Sequence, residues 1–580
     1  MGSAALNRRN AVVSLTLIAA AGLLLWGDAL GLPFLYDDWT ILARVQFARF
    51  WDLLSTHDLP WGWYRPWSRE LHFWALLWTA GETPLAFHLA NLALWIAVLW
   101  LYLLLARRAA GDAAAATATA GVATLSMWSG AMMWGAGAQE LWMLLFALLF
   151  LHAFARDSRW AALALAGALL SKETAAVLPL IAVAWAFAID RETWLGALRR
   201  LAPSLGVTGL WAALHPTFLP RLLKLSSAGD VAQVERMAPL DKLAGALLSL
   251  VNLHPFPAPD GAAWGLMVAP LFAVAVLITL VTIGTNAESA PAPSHEVEPS
   301  RGSGIRFGLA WAAFGAAPFL VPSVDWQPYY GLLAASGVWL ALGAVLASSR
   351  AALAVIAVVG ALGAFQHATP SDGYTAPYAM RRAAEMGGRL RAELLRVRPD
   401  VPPRSRLWFA YVPTGIGLGH DWFSRAFEVW YRDSTVRGAF YSAYWPRDAR
   451  GGTGTVSGGA VQQALFHDYF FRYDSLARGW IEVSPGEPDS TARADNVRWR
   501  EDHRELASLF ARAEEWQRAA AEYERLFAAY PESVSFAMDA AVSYEVAGDS
   551  ASAARAYRTV LGHPGAGAAD REFARRHGHW

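Results

Sequence analysis

Apolar runs long enough to cross about 30 Å of hydrocarbon recur through the first two thirds of this 580-residue chain. They fall near residues 11–30, 86–106, 113–133, 138–155, 160–171, 174–190, 201–217, 263–284, 306–321, 329–348 and 351–367. The 160–171 run is short, and the expected count is about eleven spans. Composition agrees: 55% of the residues are hydrophobic, only 17% are charged, and 29 are tryptophans, which favour membrane interfaces. The chain has zero net charge, hence no electrostatic footprint for nucleic acid. It has no cysteine, which excludes disulfides and thiolate metal sites. Arg8 and Arg9 before the first run also suit a signal peptide, but the many later spans favour a retained helix.

Arginines set the orientation. Arg8/Arg9, Arg107/Arg108, Arg156/Arg159, Arg191/Arg199/Arg200, Arg301/Arg306 and Arg350 all fall on one side of this layout, the cytoplasmic side by the positive-inside rule. The other side receives the 31–85 loop, the 218–262 loop, the 322–328 loop and everything after about 368. Residues 285–304, rich in Pro, Ser and Ala, read as a cytoplasmic linker. Beyond 368 the composition is that of a soluble protein. "RSRLWFAYVP", and the pair "DYFFRYD"/"RGWIEV" around a hairpin, alternate as strands do, and "GGTGTVSGG" reads as a flexible loop. From about 500 a repeat emerges: Ala507, Phe510, Ala519 and Tyr523 return 34 residues later as Ala541, Tyr544, Ala553 and Tyr557. That period, with small and aromatic residues, is the signature of tetratricopeptide helix pairs. The expected organisation is therefore a mostly α chain. A membrane bundle over 1–367 precedes a mixed α/β outer segment over 368–499 and repeats over 500–580.

Polar residues stand out against this background. Asp37 and Asp38, between Tyr36 and Trp39, follow the first run directly. Exposed carboxylates at a membrane surface can ligate a divalent cation or take a proton from a hydroxyl nucleophile. The plainer reading is a helix cap. Arg65 in "WYRPW" offers a forked contact to phosphate, or else snorkels. Lys172 and Glu173 in "ALLSKETAAVLP" interrupt apolar sequence at the outer ends of two spans. Lys172 suits a phosphate, with Glu173 orienting it; a simple turn is the alternative. His88 and Asn91, three apart on one helix face, read as a buried hydrogen-bonded pair. The His-Pro pairs at 215–216 and 254–255 lack metal-ligand spacing, and Asp325 with Trp326 lies in an outer loop.

An acidic pair after the first span, then "YRP", "FHLANLALW" and "SKE", resembles the membrane glycosyltransferases of the GT-C type. More closely, the order resembles the transmembrane-and-tetratricopeptide O-mannosyltransferase group and its bacterial relatives. The resemblance implies a GT-C fold, a polyprenyl-phosphate-linked sugar as donor, and a protein or glycan acceptor on the outer membrane face. It also implies roles. Asp37 and Asp38 match the family's acidic motif, one of them acting as general base, with a slight preference for Asp38. Arg65 and Lys172 would hold the donor phosphate, with Glu173 as part of the same motif. Tyr64, His88 and Asn91 would support them, and any divalent cation would sit on the Asp37–Asp38 pair. Two repeats are fewer than the eukaryotic members carry, and Trp95 stands where many relatives have His.

The chemistry is coherent. Departure of a lipid phosphate develops negative charge that cations stabilise, and a carboxylate must take the acceptor's proton. A like-charged neighbour raises such a base towards a useful range. A transporter or flippase for lipid-linked glycans would instead place charges near the bilayer midplane. A repeat-bearing scaffold would leave the 31–85 cluster without a use, and a polysaccharide polymerase or ligase lies close to the leading reading. The Ala/Arg/Trp-rich composition suggests a bacterium of high genomic GC, and hence the inner membrane.

Overall fold

The computed structural model describes residues 2–57, 59–222, 239–253, 301–320, 326–347, 349–370, 375–413, 420–444, 467–475, 478–485 and 497–578. The chain divides into two compact units, the first reaching Gly388 and the second beginning at Arg389. This division falls later than the end of the last apolar run at 367, because the residues that follow still pack on the first unit. Ser129 Oγ donates to Thr375 O at 2.6 Å, Arg381 pairs with Asp28, and Gly388 lies against the Pro33 ring.

Among the described residues of the first unit, five helices are long and apolar enough to cross a membrane. They are Val12–Gly31, Pro84–Ala110, Gly135–Phe154, Pro328–Leu346 and Arg350–Ala368. Other apolar runs take different forms. The 113–133 run breaks after the helix Asp112–Ala123, where Leu125 is extended (φ −72°, ψ 129°). Asn252 explains the break: its Nδ2 donates to Thr124 O and its Oδ1 accepts from Ser126 N, both at 2.8 Å, replacing helical partners. Trp160–Leu169 and Leu178–Ala188 are shorter apolar helices, and the 201–217 run lies largely within Trp194–Leu214. The end of the linker read at 285–304 already belongs to the helix Arg301–Ala316. The 263–284 run, the rest of that linker, the 254–255 pair, Asp325 and the Gly-rich loop lie outside the described residues.

Small residues let the helices meet backbone to backbone. A Cβ on Gly337 would come within 2.4 Å of Ala312 N, and one on Gly343 within 2.4 Å of Ala114 O. The helix Leu332–Leu346 is thus wedged between Arg301–Ala316 and Asp112–Ala123. Arginines tie the helix ends along one rim: Arg108 donates to Ala155 O, Arg200 to Phe154 O, and Arg301 to Ala347 O at 3.3 Å. The helix ends at Gly31, Pro84, Gly135 and Pro328 therefore belong to the opposite rim.

In the second unit a four-stranded sheet has the order β2-β1-β3-β4, with β1 Ser405–Ala410, β2 Arg437–Phe440, β3 His467–Asp474 and β4 Gly479–Glu482. β1 runs parallel to both neighbours, and β3 and β4 form an antiparallel hairpin. Central and parallel, β1 is buried at all six positions rather than alternately. Its Arg406 is therefore neutralised in place by Asp468 at 2.7 Å. The helices Val497–Arg512 and Trp516–Ala529 close over the sheet, joining Trp408, Phe470, Leu506, Phe510 and Ala519 in one core. The 34-residue offset is visible in three dimensions. Ala507, Ala541, Ala519 and Ala553 are all fully buried, and the helix starts Trp516 and Ser550 stand 34 residues apart.

The glycine contacts yield a prediction. Gly337→Leu should destabilise the detergent-solubilised protein by about 2–3 kcal/mol, through overpacking against backbone that cannot yield. Gly302→Leu, with nothing within 4 Å of its Cβ, should leave the thermal transition close to wild type.

Candidate functional site

The site is built where the first helix leaves its span. After Gly31 the chain runs extended to Tyr36, held at φ 50°, ψ −121°, a conformation that costs a non-glycine residue energy. Asp38 maintains it. Its Oδ2 accepts N–H bonds from Leu35 at 3.1 Å and Gly135 at 3.3 Å, and its Oδ1 accepts from Ala136 at 2.7 Å. Gly135 is required there, because a Cβ would stand 2.9 Å from Asp38 Oδ1. Asp38 is completely buried, and burial pushes its carboxyl up to about 7 although all three backbone bonds pull it down. Asp37, one residue earlier, is only half-buried in the first turn of the helix Asp37–Phe47. Asp37, Arg65 and Glu140 all lie within electrostatic reach of Tyr330.

Arg65 enters from the same outer loop. One π-helical turn, Pro66–Leu71, follows it and docks on the turn before Lys172. Trp67 N donates to Leu170 O at 3.3 Å and Ser68 Oγ to Ser171 O at 2.7 Å. Docking brings Arg65 to Glu173. Nε lies 3.0 and 2.9 Å from the two carboxylate oxygens and Nη2 lies 2.6 Å from Oε2, while Nη1 donates to Gln139 Oε1 at 2.8 Å. Gln139 Nε2 in turn donates to Ala136 O at 3.0 Å, joining Arg65 to the turn that grips Asp38. Lys172 is extended (φ −163°, ψ 142°), and on extended backbone neighbouring side chains diverge. Lys172 therefore pairs with Glu140, with its ammonium 5.0 Å from the Tyr329 ring centroid and 4.6 Å from that of Tyr330. Two cations and two carboxylates thus form two compensated pairs.

The structure brings Arg65, Lys172 and Glu173 together, places Asp37 within electrostatic reach of Tyr330 beside them, and gives other residues different tasks. Glu173 orients Arg65 and not Lys172, because adjacent side chains point apart. The preference for Asp38 as base meets an opposing fact, since its oxygens are occupied by backbone donors out of reach of solvent. Its raised titration comes from burial, not from a like-charged neighbour. Tyr64 Oη donates to Leu54 O at 3.0 Å and steadies the loop. His88 Nε2 donates to Leu32 O at 3.1 Å, and Asn91 Nδ2 donates to Ala131 O and Trp134 O at 3.2 and 2.9 Å. Both brace the two segments that enclose Asp38. Trp95 is core, edge-on to Trp128. Among the described residues no three His, Asp or Glu side chains converge as metal ligands. A cation shared by Asp37 and Asp38 would compete with the backbone bonds of Asp38.

Sequence reasoning missed Gln139, Glu140, Tyr329 and Tyr330, and gave His215 no part in a site. "GAGAQELW" carried a usable signal, a polar pair heading an apolar run. His215 Nδ1 accepts N–H bonds from Thr217 at 3.3 Å and Phe218 at 3.0 Å, which fixes the proton on Nε2, 3.6 Å from Glu173 Oε1.

No family model matches the chain, and no curated protein matches it. Among solved structures, ArnT from Cupriavidus metallidurans bound to undecaprenyl phosphate is similar over 72% of this chain and 84% of that one. The identity is 14% and the TM-score 0.32, a likeness too distant to carry structure or function across.

The two aspartates should separate in stability measurements. Asp38→Asn turns an amide N–H towards backbone donors and should cost about 1–3 kcal/mol in thermal or denaturant unfolding. Asp37→Asn should unfold with the wild type. The pH dependence follows from the raised Asp38 carboxyl. Between its unfolded value near 3.8 and about 7 the folded state keeps a proton that the unfolded state has released. Wild-type stability should therefore fall as pH rises through this window, and Asp38→Asn should lose that slope.

Proposed function

We propose that this protein is an integral membrane glycosyltransferase that moves a sugar from a polyprenyl-phosphate donor to a protein or glycan acceptor at the extracytoplasmic face. The observation that carries the reading is the gathering of Asp37, Arg65, Lys172, Glu140 and Glu173 at the ends of apolar helices along one rim. A lipid phosphate is anchored at that depth, with its headgroup in the interface and its chain in hydrocarbon. A carrier would need charges along a path through the bilayer. The order of the acidic pair, "YRP" and "SKE" supports the same reading.

Asp37 is the general base. It is the less buried of the pair, and it sits on a turn that Asp38 holds in a strained conformation. In the transfer step Asp37 takes the proton of the acceptor hydroxyl as its oxygen bonds to the anomeric carbon. The bond from that carbon to the phosphate oxygen breaks, and the phosphate leaves with the electron pair. Arg65 meets the developing charge. Of its five N–H groups three are committed to Glu173 and Gln139, and its side chain is 17% exposed. Lys172, only 5% exposed and held by Glu140 and two tyrosine rings, acts at longer range through its field.

A transfer assay in proteoliposomes tests this. Release of polyprenyl phosphate is followed across a panel of polyprenyl-phosphate sugars for wild type, Asp37→Asn and Asp38→Asn. Turnover of at least one donor is expected, reduced by a factor of about 10²–10⁴ in Asp37→Asn without loss of stability. Transport of lipid-linked glycan across the bilayer, with no donor turned over, would refute the reading.

A further inference from the structure

His215 carries a buried donor without a hydrogen-bond partner. Its side chain is fully enclosed and its Nε2 makes no hydrogen bond, yet this atom stands 3.6 Å from Glu173 Oε1. The ring cannot easily turn away. Nδ1 accepts the Thr217 and Phe218 N–H groups, and Trp63, Tyr64, Trp211 and Phe218 surround the imidazole at centroid distances of 6.4, 6.3, 5.1 and 6.1 Å. Thr217 Oγ1 donates to Gly62 O at 2.5 Å, pinning this segment to the loop that bears Arg65. An unsatisfied buried N–H costs stability, and such groups are kept where they serve another state of the protein.

We propose that His215 is a positioning residue that takes over Glu173 when Arg65 turns to a phosphate. Arg65 now commits two nitrogens to the Glu173 carboxylate. Oε1, the oxygen that faces His215, is held by Nε alone at 3.0 Å, so a phosphate that draws the guanidinium away uncovers it in a buried place. The Nε2–H of His215 is the donor in reach, and a shift of well under 1 Å brings 3.6 Å to an ordinary hydrogen bond. No proton moves; one N–H donor replaces another, and Glu173 stays compensated while the guanidinium is partly released. The inference rests on the reading of Arg65 as the phosphate contact.

Two substitutions separate this role from simple loop capping. Asparagine at 215 keeps an acceptor where Nδ1 stands and loses the Glu173 contact. Glutamine keeps a donor where Nε2 stands and loses the acceptor. Equilibrium binding of undecaprenyl phosphate to the full-length protein in lipid nanodiscs is measured for wild type, His215→Asn, His215→Gln and Arg65→Ala, with thermal unfolding of each. His215→Asn should bind about tenfold more weakly with an unchanged transition, and His215→Gln within about threefold of wild type even if its transition drops. Should the glutamine variant fail to fold, the asparagine variant alone decides. Wild-type affinity in His215→Asn overturns the proposal, as does the reverse order of the two variants. An Arg65→Ala variant that binds as well as wild type removes the phosphate reading itself. A weakened Arg65→Ala beside an unaffected His215→Asn removes only the role of His215.

Discussion

The pair between Arg65 and Glu173 is the contact on which the rest of the site depends. It joins residues 108 positions apart, and both are largely withdrawn from water. Removing either partner would strand a charge in a low-dielectric place at a cost of about 3–5 kcal/mol, so the outer loop must dock where it does. The short backbone links at Leu170 and Ser171 refine that position, and Gln139 passes it on to the turn at 135–137. One ion pair thereby fixes the loop, the Asp38 latch and the approach to Asp37.

Compensated pairs are a poor choice if the only aim is to attract an anion. Lys172 and Arg65 would draw a phosphate more strongly without Glu140 and Glu173. Two bare cations beside apolar helices, however, would carry desolvation costs that no resting protein recovers. Pairing each cation keeps the cluster stable and, on the proposed reading, leaves directional N–H groups to discriminate. Arginine suits this better than lysine, because a planar fork can hold a carboxylate with one edge and still offer N–H groups along another.

Much of the architecture was legible in the sequence, and the reasons for the remainder are local. Five runs found by hydropathy are long helices because a membrane span is set by length and apolarity alone. The run at 113–133 fooled the same criterion, since its break depends on Asn252, distant in sequence. The strands at 405–410 and 467–474 and the hairpin were visible, whereas Arg437–Phe440 was not: four residues in a parallel pairing carry no period of their own. Asp37, Arg65, Lys172 and Glu173 were legible as polar residues in apolar surroundings. Their pairing was not, because Lys172 and Glu173 are neighbours in sequence that extended backbone sends to different partners. Glu140 was hidden at the head of a hydrophobic run, and His215 in a segment whose partners are aromatic.

The adjacent aspartates show how environment divides labour between identical side chains. Consecutive residues on a helix point about 100° apart, so one turn can send Asp38 into the protein and leave Asp37 at its edge. Asp38 exchanges solvent for three backbone donors and becomes part of the frame, holding Tyr36 in a conformation it would otherwise leave. Asp37 inherits a fixed position in the first turn of the helix Asp37–Phe47. Were Asp37 the base of the proposed transfer, a carboxylate held this way would need no reorganisation to meet a hydroxyl, and positional precision of that kind supplies a large share of what a carboxylate can contribute to a barrier. The acidic pair is therefore one buried, backbone-bonded side chain and one at the protein's edge rather than two equivalent carboxylates. The same logic extends to Lys172 and Glu173, where a short polar motif also serves two different structural partners.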